Sequence, residues 1–303
     1  MSMGDFNLIK IDGKPIEKLL DVVSKAVGKI YEPRAIRKEA DARAYEVSVI
    51  EKAKTDASVY RYEIKQDMLD KIEERRIFRE VRKQKNIDNV IKLAIDELKD
   101  DFDVSSIPVD EDWAVRFFSI AEDISNEQMQ QLWGKILAGE VKSPNSFSLH
   151  TIEYLKNMSK EEADLFSKAA NYTINDSDFS FIFRSFNNKM LEKNGLFYSE
   201  ILHLIELKLI HPEINIGMTY GKTSEDVEVV FTSDIYIIKT MKKAGTPICE
   251  LPLYKFTQIG SELIKLLTIT PVESYINEFK SFLKISDFSI EGEPGHEPQI
   301  MKI

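Results

Sequence analysis

The sequence predicts a mainly α protein with an α+β C-terminal part: long N-terminal helices, a small helical bundle and a winged-helix-like C-terminal module. Three observations carry this expectation. No Gly or Pro occurs between Pro33 and Pro108, and Ala, Glu, Lys and Arg dominate from Arg34 to Lys85, the composition of long solvent-facing helices. The stretch Ile124 to Glu140, I-S-N-E-Q-M-Q-Q-L-W-G-K-I-L-A-G-E, carries the start, stripe and stop of a short helix. After Tyr172 the helical spacing gives way to β-branched and aromatic runs with turn residues between them. Apolar residues at 43% and aromatics at 10% can fill a sizeable core, which excludes a disordered chain. The expected division is 1–108, an N-terminal helical association region; 109–173, the bundle with the motif; 174–290, the α+β module; and 291–303, a flexible tail.

In chain order, Pro15 to Tyr31 reads as a first helix with Ile16, Leu19, Leu20, Val23, Val27 and Ile30 on one stripe. Its other face mixes Glu17, Asp21, Lys18, Lys25 and Lys29, whereas a membrane-surface helix carries mainly Lys and Arg there. A partner helix is therefore the expected neighbour, and membrane contact is not. From Arg34 to Lys85 the seam of Ala53, Ala57, Tyr60, Ile64, Met68 and Ile72 is narrow. Such a helix is unstable alone in water, so it must fold back as a hairpin or pair with another copy in a coiled coil. The segment is expected to make the protein a homo-oligomer. Arg75, Arg76, Arg79, Arg82 and Lys83, followed by Lys85, form the densest basic cluster. It reads as an interaction surface for nucleic acid or an acidic partner, or as a solvated face balanced by Glu73, Glu74 and Glu80. The second reading is favoured, because no aromatics for base stacking are interleaved. Asp96 to Asp112 holds eight acids against Lys99 alone. It lacks the Gly and terminal Glu of a calcium loop, which leaves a helix-ending linker, with Asp110 capping the next helix.

The motif helix is expected to begin at Ser125 as N-cap, closed into a capping box by Gln128. Met129, Leu132, Trp133, Ile136 and Leu137 fall at i, i+3, i+4, i+7 and i+8, and Gly139 sits where a left-handed C-cap would end it. Two further helices follow, Leu149 to Met158 and Lys160 to Tyr172, the latter with a Ser159–Glu162 capping box. The run from Ile124 through S-P-N-S-F-S-L-H-T-I-E-Y-L-K-N-M-S-K-E-E-A to Ala163 resembles the shared motif of a bacterial family known as domain of unknown function 2806. More distantly, it is similar to the abortive infection alpha group of bacterial antiphage proteins. The resemblance implies a defence role and assigns no residue a chemistry.

In the C-terminal part, Phe179 to Phe183, Val227 to Phe231, Ile235 to Thr240 and Leu251 to Phe256 are the predicted strands. Ser199 to Leu209, Thr257 to Leu267 and Val272 to Leu283 are the predicted helices. A helix ending in Leu209-Ile210, then strands, then a Thr257-x-x-Gly260 helix start resembles a winged helix with an enlarged wing. Its recognition helix would present Glu200 and Glu206 with Lys208 as the cation, a poor set for base edges.

The net charge of −10 is unevenly spread: residues 1–95 hold 21 Lys+Arg against 17 Asp+Glu, and residues 96–303 hold 20 against 34. The acidic part disfavours phosphate backbones. One cysteine, Cys249, allows no intrachain disulfide, and no signal-peptide run or membrane span is visible, so a cytoplasmic protein is expected. No P-loop, dinucleotide fingerprint, nucleophile elbow or H-E-x-x-H is present. The histidines His150, His203, His211 and His296 are scattered, against the clustering that zinc needs. No catalytic, cofactor-binding or metal residue is assigned and no cofactor is expected. The leading expectation is a non-enzymatic bacterial interaction or adaptor protein with a protein partner, possible in antiphage or mobile-element defence. The alternatives are a winged-helix nucleic-acid regulator and an enzyme of unfamiliar type with carboxylates around the motif.

Overall fold

The structure, a computed structural model, describes residues 14–29, 59–100, 104–184, 189–213, 217–220 and 224–291, with side chains from residue 68 onward in the second span. The chain forms two compact units, Met1–Ile152 and Glu153–Ile303. The seam residues Ala53 and Ala57 and the tail after Glu291 lie outside the described residues.

The first unit is helical. Helix α1 covers 14–29, α2 Val59–Leu98, α3 Glu111–Ala121 and α4 Glu127–Lys142. The buried face of α1 is Ile16, Leu19, Val22 and Ala26, while Leu20 is exposed and Val23 and Val27 are half-buried. The stripe read from the sequence is thus rotated. Lys18 Nζ donates to the Ser105 carbonyl (2.9 Å) and Lys29 pairs with Glu111. These two anchors tie α1 to the segment before α3 and to its first turn.

Helix α2 has 40 residues, about 60 Å at 1.5 Å per residue. Its C-terminal part buries Asn86, Ile87, Val90, Ile91, Ala94 and Leu98, chiefly against α4. Around them lies an aromatic core. Trp113 stacks on Phe117 (5.0 Å), and Phe117 meets Phe118 edge-on (5.2 Å) and Trp133 (5.0 Å). Trp113 Nε1 donates to the Phe147 carbonyl at 2.7 Å, so this indole satisfies its polar end inside the core. Asp110 caps α3 by accepting from the Trp113 N–H at 2.8 Å.

Helix α5, Leu149–Asn157, contains the boundary between the units. The second unit then holds α6 (Lys160–Ala170), α7 (Lys189–Lys193), α8 (Tyr198–Glu206), α9 (Gln258–Ile264) and α10 (Glu273–Ile285). The Ser159–Glu162 capping box forms at the start of α6. Seven strands, β1 Thr173–Asn175, β2 Ser180–Phe183, β3 Gly217–Tyr220, β4 Val227–Ser233, β5 Tyr236–Lys242, β6 Cys249–Lys255 and β7 Phe288–Ile290, build one antiparallel sheet in the order β3-β6-β2-β1-β4-β5-β7. The module is therefore α+β. Helix α10 is tied to the sheet by Tyr275, whose hydroxyl accepts from the Phe183 N–H (2.7 Å), and by Phe279, 5.0 Å from Phe183 and 5.2 Å from Phe231.

The start of α9 explains why Thr257 and Gly260 stand where they do. Thr257 Oγ1 accepts from the Gly260 N–H (3.1 Å) and donates to the Lys208 carbonyl (2.7 Å), while its own N–H meets the Leu209 carbonyl at 3.0 Å. The turn is pressed so closely onto the Lys208–Leu209 turn that follows α8 that a Cβ on residue 260 would lie 2.3 Å from the Leu209 oxygen. Only glycine fits.

Candidate functional site

The motif helix α4 turns out to be the joint of the first unit. Trp133 and Ile136 are fully buried, and Leu132 is half-buried. Gly134 lets α4 cross α2 at close range: a Cβ there would lie 2.7 Å from Leu93 Cβ and 3.2 Å from the Ala94 nitrogen. Three roles read from the sequence are corrected. The N-cap is Asn126, whose side chain accepts from the Met129 N–H at 3.0 Å, and Gln128 is exposed and closes no box. Ser125 is instead occupied as acceptor for the Asn86 amide of α2 at 3.0 Å. Gly139 does not end the helix, which runs on to Lys142. Its missing side chain makes room for the Phe147 ring, which a Cβ would approach to 2.8 Å.

Glu140 lies in the last turn of α4 and is 1% exposed. Its carboxylate accepts from the backbone N–H groups of Asn145 (2.6 Å) and Phe147 (3.0 Å). A buried carboxylate needs such donors, and here they fix the turn after α4, in which Asn145 takes the left-handed conformation. A second polar cluster ties α2 to the α3–α4 connection. Asn86 donates to the Glu122 carbonyl (2.9 Å), and Gln130 donates to Asn86 (3.2 Å) and to the Ile124 carbonyl (2.8 Å). Lys83 pairs with Glu122 at 2.6 Å, both largely covered. Glu140 and the Asn86–Gln130 cluster therefore hold the bundle together, and every one of these groups is spoken for.

The basic cluster separates by environment. Lys83 belongs to the buried cluster just described; Arg76 pairs with Glu73 at 2.6 Å; Arg82 lies 3.9 Å from Asp123. Arg75 and Arg79 are exposed and line an open surface depression with Ile72, Glu74 and Phe78. The same length of α2 displays large apolar side chains to solvent: Met68, Ile72, Ile77 (54% exposed), Phe78 (70%) and Val81 (63%). By helical spacing, Phe78 and Val81 point away from the face on which Ile87, Val90, Ala94 and Leu98 are buried, and Ile77 lies at its edge. Scattered exposed leucines are ordinary, but a contiguous apolar group rimmed by arginines marks an interaction site. The arginines stand out in the sequence by their density; Ile77, Phe78 and Val81 do not, and their i, i+1, i+4 spacing on a charged helix was the available signal.

The remaining candidates are quieter. His150 is exposed at the start of α5. A groove of about 580 Å³ beside α1 is lined by Lys18, Asp21, Lys25, Asp110, Glu111 and Asn145, but Lys25 pairs with Asp21 and Lys29 with Glu111. Burial lowers the Lys18 ammonium below its usual value, against the pull of Glu140. The Tyr154 hydroxyl is buried without a hydrogen-bond partner, and desolvation, with Glu162 nearby, pushes it up to about 12. Among the described residues no group of three His, Cys, Asp or Glu side chains is arranged to hold a metal ion, and no helix is long and apolar enough to cross a membrane.

No curated protein and no solved structure matches the chain. Residues 70–280 match the profile of a family described as "Protein of unknown function (DUF2806)". That span opens within the exposed length of α2 and takes in the motif helix, strands β1 to β6 and most of α10, and so the chain belongs to this family.

Proposed function

We propose that the protein is a non-enzymatic interaction protein of bacteria. In this reading the helical bundle serves as a mount, and the exposed length of α2 from Met68 to Arg82 is the working surface, offered to a protein partner. The observation that carries it is the solvent-facing group Ile77, Phe78 and Val81 set among Arg75, Arg79 and Arg82. An apolar group of this size costs solubility and is retained where it is used. The resemblance of the Ile124–Ala163 stretch to abortive infection alpha proteins supports placing this work in defence against phage or mobile elements.

A phage challenge tests both parts. Cells expressing the full chain are expected to show fewer plaques than cells with empty vector, and I77D/F78D/V81D is expected to abolish that protection at equal protein level. Protection that survives the triple substitution would overturn the reading of α2; no protection against any of a broad phage panel would overturn the defence role.

A second reading, a winged-helix nucleic-acid regulator, is favoured by one observation. The neighbouring strands β3-β6-β2 with α7 and α8 between β2 and β3 follow the strand and helix order of a winged helix, although the β4–β5 hairpin, which occupies the wing's place in the chain, joins the sheet through β1 on the far side of β2. Against nucleic acid stands the exposed face of α8, which presents Ser199, Leu202, His203 and Glu206, with no Arg or Lys for phosphates or base edges. Duplex DNA at moderate salt is therefore expected to show no retention by the intact protein, and tight, sequence-dependent retention would reverse the order of the two readings.

A further inference from the structure

We infer that the partner seated on the exposed face of α2 is a second copy of the same chain, paired antiparallel about a two-fold axis between Ile77 and Phe78. The inference rests on the reading of α2 as the working surface and adds the partner and the register.

The exposed face of α2 is self-complementary. On the exposed side of α2, Asp70, Glu74, Ile77, Phe78, Val81 and Lys85 follow one another at helical spacing, and all are exposed. The apolar residues sit in the middle, the acids on the N-terminal side and the base on the C-terminal side. The wider segment is polarised in the same sense: 59–74 carries five Asp+Glu against three Lys+Arg, and 75–85 carries one against six. A parallel pair would set the arginine-rich halves against each other, which like-charge repulsion opposes. An antiparallel pair sets each basic half on an acidic half. With the axis between Ile77 and Phe78, Ile77 meets the partner's Phe78, Val81 lies along the aliphatic part of the partner's Glu74, and Asp70 faces the partner's Lys85. Two-fold symmetry makes each contact twice, as an isologous interface requires. The packed face of α2, from Asn86 to Leu98, points the other way, so the bundles do not need to open for the helices to meet.

Light scattering of the full chain from about 1 to 100 µM is expected to give a monomer–dimer equilibrium, with I77D/F78D/V81D monomeric or its dissociation constant raised by more than about tenfold, the order expected for exposing several apolar side chains. The register is read by crosslinking. D70C/K85C is expected to form a covalent dimer under mild oxidation, while D70C and K85C alone do not, and an equimolar mixture of D70C and K85C does. Efficient crosslinking of each single variant to itself would mean a parallel pair and would overturn the proposal. So would a monomeric full chain at the highest concentration, or a dimer that the triple substitution leaves intact. A monomer whose phage protection is nevertheless lost in I77D/F78D/V81D would end the self-pairing and leave the interaction reading standing with a different partner.

Discussion

Gly134 and Glu140 show how a single residue in the motif acts through what it touches. Gly134→Ala introduces a Cβ 2.7 Å from Leu93, so α4 must move off α2. We predict a loss of about 1–3 kcal/mol, read by urea unfolding, and an unchanged midpoint would show that the crossing tolerates the methyl group. Glu140→Ala removes the acceptor of two backbone N–H groups. Leaving such donors unpaired costs about 1–3 kcal/mol, and faster hydrogen exchange at Asn145 and Phe147 is the local signature. Trp133→Ala empties the centre of the aromatic core and should cost about 3–5 kcal/mol. Tyr154 offers a test of pH dependence. Its hydroxyl titrates near the usual tyrosine value in the unfolded chain and at about 12 in the folded one. The folded state therefore holds the proton longer, and stability falls as pH rises from about 10 through about 12. Tyr154→Phe should flatten part of that alkaline fall and, because the hydroxyl has no partner, cost nothing at neutral pH. A loss at neutral pH would reveal a hydrogen bond that Tyr154 needs.

At the scale of elements, α2 divides at about Lys83. Beyond that point it is packed and cross-linked through Asn86 and Gln130; before it, the described side chains from Met68 to Arg82 are mostly exposed. Asn86→Ala should cost about 1–3 kcal/mol by removing the donor to the Glu122 carbonyl and one of the two acceptors of the Gln130 amide, checked by chemical denaturation, whereas Phe78→Asp should leave the unfolding midpoint of a dilute, monomeric sample nearly unchanged. This division also marks what the sequence could and could not reveal. Helix positions were legible because spacing and caps are local: α3 begins at Asp110 and α6 at Ser159 as read from the residues. The motif's N-cap was not, because Ser125 and Asn126 are equally good caps. The choice is made by Asn86, 39 residues away, which takes the Ser125 hydroxyl. Gly139 reads as a stop only if one cannot see the Phe147 ring that occupies its space. Strands β1, β3 and β7 are three or four residues long, too short for alternation to register, and they exist because longer neighbours offer them hydrogen bonds.

For the whole molecule, the legible part was the class: helices first, then an α+β module, with a family motif at the joint of the first unit. The candidate site was legible only by half. The arginines of α2 announce themselves by density, but their meaning depends on which of them the bundle consumes, and that is a tertiary fact. Lys83 is taken by Glu122 and Arg76 by Glu73, while Arg75 and Arg79 stay with the apolar patch at the surface. A helix with so little of its own packing is only marginally stable, so a covered α2 and a bare one must differ in how readily their amides open. Hydrogen–deuterium exchange of the Met68–Arg82 segment, measured on the full chain at low and high concentration, is the most direct test that this face is an interface. We predict slow exchange that strengthens with concentration and is lost in I77D/F78D/V81D. Exchange that is equally fast at every concentration, in wild type and variant alike, would contradict it.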